Sequence, residues 1–188
     1  MKLDPSKYNI KKCVTICGKG RTSSSVKVSG YLACLNTAAN LFNSVDFLFI
    51  NDIETVEKIE WDLVKNLIIP LQLHSECYPS KFTYHDVTVD ANVFTHKLFT
   101  QNIPVLSMGT DDFCLGKVWS TYQTALLWLI YIGFRKFNIY GVDRTGKYHE
   151  KFVKSNDVGN LRQKSWYDIN YDYGKKILEH FDCDYIIH

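Results

Sequence analysis

GKVWSTYQTALLWLIYIGFRKFNIYGVD, residues 116–143, decides the fold class. Trp119 to Ile132 is apolar nearly all round, the pattern of a helix buried on every side. Gly133 supplies a stop, and KFNIYGVD is the strand after it. Working outward, KKCVTIC is a first strand, SGYLACLN a second that ends at Asn36, and VDFLFIND a third that ends at Asn51. The unbroken apolar centre of the third marks a strand covered on both faces.

From Ile53 to Lys65 the apolar residues Ile53, Val56, Ile59, Trp61, Leu63 and Val64 fall among charges at a helical spacing, so an amphipathic crossover helix is expected there. NLIIPLQL follows as a strand in which Pro70 demands an edge or an end position. Cys77 to Met108, with Pro79, Pro104 and the alternating HDVTVDANVF, reads as strand, loop and short helix. SWYDINYDYGKKILEHF is a surface helix and DYIIH a final strand. This alternation predicts an α/β Rossmann-like three-layer sandwich with a mostly parallel central sheet, as one domain over residues 1–188. There are no internal repeats.

The 188 residues are 46% hydrophobic, enough for one sizeable core, and the net charge of +2 neither indicates nor excludes nucleic acid. Any anion site must therefore be local. No window approaches the roughly 20 apolar residues of a membrane span, and MKLDPSKYNIKK has no apolar secretory region, so a cytoplasmic protein with reduced, buried cysteines is expected.

In parallel α/β sheets ligands sit beyond the carboxyl ends of the strands. Those ends carry Gly18-Lys19-Gly20-Arg21, then Asn36, then Asn51-Asp52, and later Gly141-Val142-Asp143. Amides and carboxylates can satisfy a base edge or ribose hydroxyls, and a glycine turn lets backbone N–H groups approach a phosphate. The turn is neither a P-loop nor a dinucleotide fingerprint. Taken alone, GKGRTSS is as compatible with a solvated basic loop as with a ligand site.

VTICGKGRTSS, LACLNTAANLF, DFLFINDIE and VWSTYQTALLWLIYIGFRKFNIYGVD, in this order and spacing, resemble the bacterial lipooligosaccharide sialyltransferases, and the late segment is also similar to pterin diphosphokinase-like proteins. The resemblance implies a glycosyltransferase that uses a nucleotide-sugar donor, a CMP-sugar favoured, with no metal or other cofactor required. It places donor contacts at Gly18, Gly20, Asn36 and Asn51, with Ser120 and Thr121 at the helix start as ribose or phosphate contacts and Tyr148 at the leaving phosphate; Lys19 and Arg21 of the same turn are either further donor contacts or solvated surface charges. Asp143 matches the aspartate that closes the late strand. The family's histidine base is missing: the corresponding LRQKSWYDIN has Ser165 and Trp166. A transferase needs a group that takes the acceptor proton, and His149 is the substitute candidate beside Asp143 in the catalytic set. The acceptor is not specified.

Two other readings stay open. A diphosphotransferase would hold Mg²⁺ on Asp52 and Asp143, and a nucleotide-binding module without turnover would need neither base nor metal. Asp182-Cys183-Asp184 has the form of a metal-binding DxD but stands at the start of its strand, on the wrong rim. Asp111-Asp112 reads as a capped or solvated turn. Histidines 74, 85, 96, 180 and 188 lack zinc spacing and are expected to be structural or on the surface. Arg135 and Lys136 fall on the rim opposite the site. The basic stretch Lys147, Lys151, Lys154, Arg162 and Lys164 is either a lid over a phosphate or an ordinary surface loop.

Overall fold

The computed structural model describes residues 5–51, 55, 58–70, 92–98, 114–115, 120–142, 149–153 and 162–188. Its strands, in chain order, are β1 (Val14–Cys17), β2 (Tyr31–Leu35), β3 (Phe47–Phe49), β4 (Asn66–Pro70), β5 (Asn92–Leu98), β6 (Cys114–Leu115), β7 (Lys136–Tyr140) and β8 (Asp184–Ile187). They form one sheet in the order β6-β5-β4-β3-β2-β1-β7-β8, and every pairing is parallel. The α-helices are α1 (Thr121–Ile132), the single turn α2 (Glu150–Val153) and α3 (Arg162–His180). The α/β Rossmann-like sandwich expected from the alternation is the fold observed. No helix among the described residues is long and apolar enough to cross a membrane.

Side chains alternate across a strand, so each buried strand feeds two cores. Val14, Ile16, Ala33, Leu35, Phe47, Phe49, Phe137 and Ile139 pack under α1 and α3. Trp128 of α1 stands edge-on to Phe47 and Phe49, with ring centroids 5.7 and 5.6 Å away. That T-shaped geometry sets positive ring edges against negative faces. Helix α1 is apolar all round because it meets the sheet on one side and α3 on the other. Where they meet, Gly174 of α3 lies so close to the Tyr122 ring that a Cβ there would collide with it.

The opposite face is built differently. Cys17, Leu32, Cys34, Leu48 and Leu67 form its core with Ala38, Ala39, Val45, Ile59 and Val64. Its cover comes from short 3-10 turns at Arg21–Ser25, Asn36–Leu41 and Trp61–Leu63. The amphipathic helix expected over Ile53–Lys65 is therefore corrected: among its described residues the segment ends in a 3-10 turn and an isolated bridge from Val64 to Val45. Asn40 takes part in tying this layer together, donating from Nδ2 to Lys58 O at 2.6 Å and accepting at Oδ1 from Glu60 N–H. A side-chain clamp of this kind replaces the backbone ladder that a helix would have supplied.

Pro70 is the last residue of β4, an end position, although β4 itself lies between β3 and β5. Of HDVTVDANVF, residues 92–94 lie among the described residues and open β5, and the two-residue β6 had no counterpart in the sequence reading. Cys13, Cys17, Cys34 and Cys183 are free thiols.

Candidate functional site

The chain runs outward from β1 to β6, then returns to the far side of β1 for β7 and β8. The direction of winding thus switches between β1 and β7, where an open parallel sheet usually offers its crevice. At this point the glycine turn and the end of β7 are stitched together. Gly18 N–H donates to Tyr140 O and Gly20 N–H to Gly141 O, both at 2.8 Å. Gly141 N–H donates to Thr22 Oγ1 at 2.7 Å. A Cβ on Gly18 would strike the Gly141 carbonyl and one on Gly141 the Gly18 carbonyl, while Gly141 has φ +66°. Glycine is needed at both places because two backbones touch.

This seam changes the role expected of the turn. Two N–H groups that a phosphate would require are already spent within the protein, so Gly18 and Gly20 set the close approach of two strand ends. Arg21 is exposed and Lys19 half-buried at the start of the 3-10 turn that follows. Thr22, a residue of the turn to which the sequence reading gave no role, closes the seam. A hydroxyl four residues beyond a strand-ending glycine is the signal that could have found it.

The asparagines occupy the next two strand ends. Asn36 is buried with φ 51°, a left-handed conformation that asparagine tolerates better than most residues. Its Nδ2 donates to Thr121 Oγ1 at 3.4 Å. Asn51 Nδ2 donates to Thr124 Oγ1 at 2.9 Å. Ser120 caps α1 by accepting from Gln123 N–H, and the Thr124 hydroxyl donates back to Ser120 O. Deeper in, Gln123 Nε2 donates to Asn170 Oδ1 of α3 at 2.9 Å. The two strand-end amides therefore clamp the positive end of the α1 dipole to the rim. Thr124 and Gln123 were invisible as site residues, because within an apolar helix they read as core.

Asn51 Oδ1, in this layer, is buried and has no hydrogen-bond partner. A desolvated acceptor left unmatched costs about 1–3 kcal/mol. Such an atom, at a strand end beside a helix N-terminus, is suited to a hydroxyl or amino donor from a ligand.

His149 comes to the same rim, where its backbone N–H donates to Lys19 O at 2.8 Å. Its Nδ1 accepts from Lys151 N–H at 3.1 Å at the start of α2. In the neutral ring the proton then sits on Nε2. Lys151 Nζ donates to Asn40 O, which ties α2 to the turn after β2.

Asp143 and Tyr148 lie outside the described residues, as do Asp52, Asp111, Asp112, Lys147 and Lys154. Among the described residues no three His, Cys, Asp or Glu groups converge as a metal site. Arg135 is exposed on the opposite rim, as expected, where Nη1 donates to Ile130 O and Phe134 O at the end of α1. The structure thus gathers Gly18, Lys19, Gly20 and His149 in one group and Asn36, Asn51, Ser120 and Thr121 in a second, on adjacent strand ends of one rim. No protein-family model, curated protein or solved structure matches this chain.

Proposed function

We propose that the chain is a nucleotide-sugar-dependent glycosyltransferase, with a CMP-sugar donor held at the carboxyl ends of β1, β2 and β3. The observation that carries this reading is the unmatched Asn51 Oδ1, an acceptor that a ribose hydroxyl or a cytosine amino group would satisfy. The N-terminus of α1, capped by Ser120, lies at the same rim and favours a phosphate there. His149, with its Nε2 proton, supplies a hydrogen bond to the departing phosphate. Rate enhancement then comes from holding donor and acceptor together and from stabilising the leaving anion.

Thermal shift and calorimetry with CMP, CDP, ATP and CMP-sugars, each with and without Mg²⁺, test this. A ligand that binds only the folded chain raises its melting temperature. The expected result is a cytidine-specific, metal-independent shift that weakens at least tenfold in Asn51→Ala, together with slow donor hydrolysis that His149→Ala reduces. A shift for ATP alone, and only with Mg²⁺, would replace this reading with diphosphate transfer. Cytidine binding without donor hydrolysis would leave a nucleotide-binding module.

A further inference from the structure

Strand β8 poses a problem that β1, β2 and β3 do not. Parallel sheets are normally covered on both faces, yet along β8 exposed residues alternate with half-buried ones. Tyr185 and Ile187 turn inward to the core beneath α1 and α3. Asp184, Ile186 and His188 point the other way and are exposed, as is Lys136 on neighbouring β7. At 58% exposure Ile186 is the most exposed large hydrophobic residue among those described. His188 lies flat on the Tyr140 ring, centroids 4.0 Å apart, which fixes its position on this face.

Among the described residues the outer edge of β8 is also open: the strand pairs with β7 alone. Asp184 N–H donates to Arg135 O and His188 N–H to Ile139 O. The even-numbered residues thus direct their backbone groups to β7. By alternation, the N–H and C=O groups of Tyr185 and Ile187 point away from the sheet. An open edge carrying an exposed isoleucine is a template for another strand.

We propose that β8 is where two copies of this chain join, antiparallel about a two-fold axis through Ile186, into one continuous sheet. In that register Tyr185 faces the other copy's Ile187 as a hydrogen-bonded pair on either side of the axis. Four backbone hydrogen bonds result, and every outward group of these two residues is matched. Ile186 meets its own copy in the closer, non-hydrogen-bonded position. Asp184 falls opposite the other copy's His188 at both ends, a carboxylate acceptor facing a ring donor, so the polar pattern of DYIIH is self-complementary, as an isologous contact requires. Moving the axis by one residue sets Ile186 against Asp184 or His188 and loses that match.

Sedimentation equilibrium and light scattering of the full chain test the proposal. The wild type is expected at twice the 21.8 kDa of one chain. Ile186→Lys, which places two cations at the axis, should be monomeric at about 100 μM, whereas a contact with Kd near 10 μM would be assembled there. Circular dichroism should be unchanged, because Ile186 is exposed in the single chain. Ile186→Thr keeps a β-branched side chain and should weaken the dimer about tenfold; it carries the test should the lysine variant fold poorly. Asp184→Lys should weaken association, and adding His188→Glu should restore it by reversing the pair. A monomeric wild type, a dimer that survives both Ile186 variants, or failure of the reversed pair to restore association would overturn the proposal.

Discussion

The two faces of the sheet hold comparable cores by different means. Beneath α1 and α3, large rings interlock, with Trp128 wedged against Phe47 and Phe49. On the other face, Leu48, Leu67, Cys17 and Cys34 meet alanines and short 3-10 turns joined through side chains such as Asn40. A long helix is a rigid lid whose residues cannot follow a cavity inward. A series of short turns can settle.

The largest expected effect tests that difference directly. Trp128→Ala should cost about 3–5 kcal/mol by urea denaturation, because helix and sheet are both held by their own ladders while the ring is gone. Leu48→Ala, between Phe47 and Phe49 but facing the turns, should cost about 2–3 kcal/mol, the low end of its class, as the turns close on the void. Equal losses per volume removed at the two positions would break the comparison.

A smaller effect sharpens it through pH. Burial pushes the Cys17 thiol up to about 12, and Cys34 is raised well above its ordinary value of 9.0 for the same reason. Above pH 9 the unfolded thiols ionise while the folded ones keep their protons, so this contribution is complete below pH 9 and is lost as pH rises toward 12. By pH 10 the loss should be roughly 1 kcal/mol for Cys17, with Cys34 acting in the same direction. The urea midpoint of the wild type should therefore fall further between pH 8 and pH 10 than that of a Cys17→Ala/Cys34→Ala double variant. Parallel declines would show that the turn-covered face admits water.

The smallest effect has the opposite sign. Tyr122 is 4% exposed on the helical face, and its hydroxyl is buried without a partner. Tyr122→Phe removes that uncompensated group and should stabilise the chain by up to about 1 kcal/mol. A loss of stability would mean that the hydroxyl contributes a bond there.

The same contrast explains what the sequence disclosed. VDFLFIND and Trp119–Ile132 were legible because a buried strand and a buried helix each impose their period on many consecutive residues. Ile53–Lys65 carried a helical spacing of apolar residues, yet Ile59, Leu63 and Val64, among its described residues, lie in and beside a short 3-10 turn over the sheet, and hydrophobic period does not distinguish the two. At the rim, the residue types at the strand ends were readable because the topology requires polar groups there. Their bonding was not. Asn36, Asn51, Gly18 and Gly20 find their partners in Thr121, Thr124, Tyr140 and Gly141, all more than 70 positions along the chain, and only the fold chooses those partners.

The seam between Gly18 and Gly141 also bears on how the chain reaches this state. Its two sides are separated by most of the polypeptide, so β1 cannot acquire its second neighbour until β7 has been synthesised. Contacts of such long sequence separation form late and slow folding. Until Thr121–Ile132 leaves the ribosome, Ile16, Leu35, Phe47 and Phe49 have no lid. The emerging half of this protein therefore carries an apolar face that α1 has yet to cover, and a pause after residue 115 would prolong that exposure.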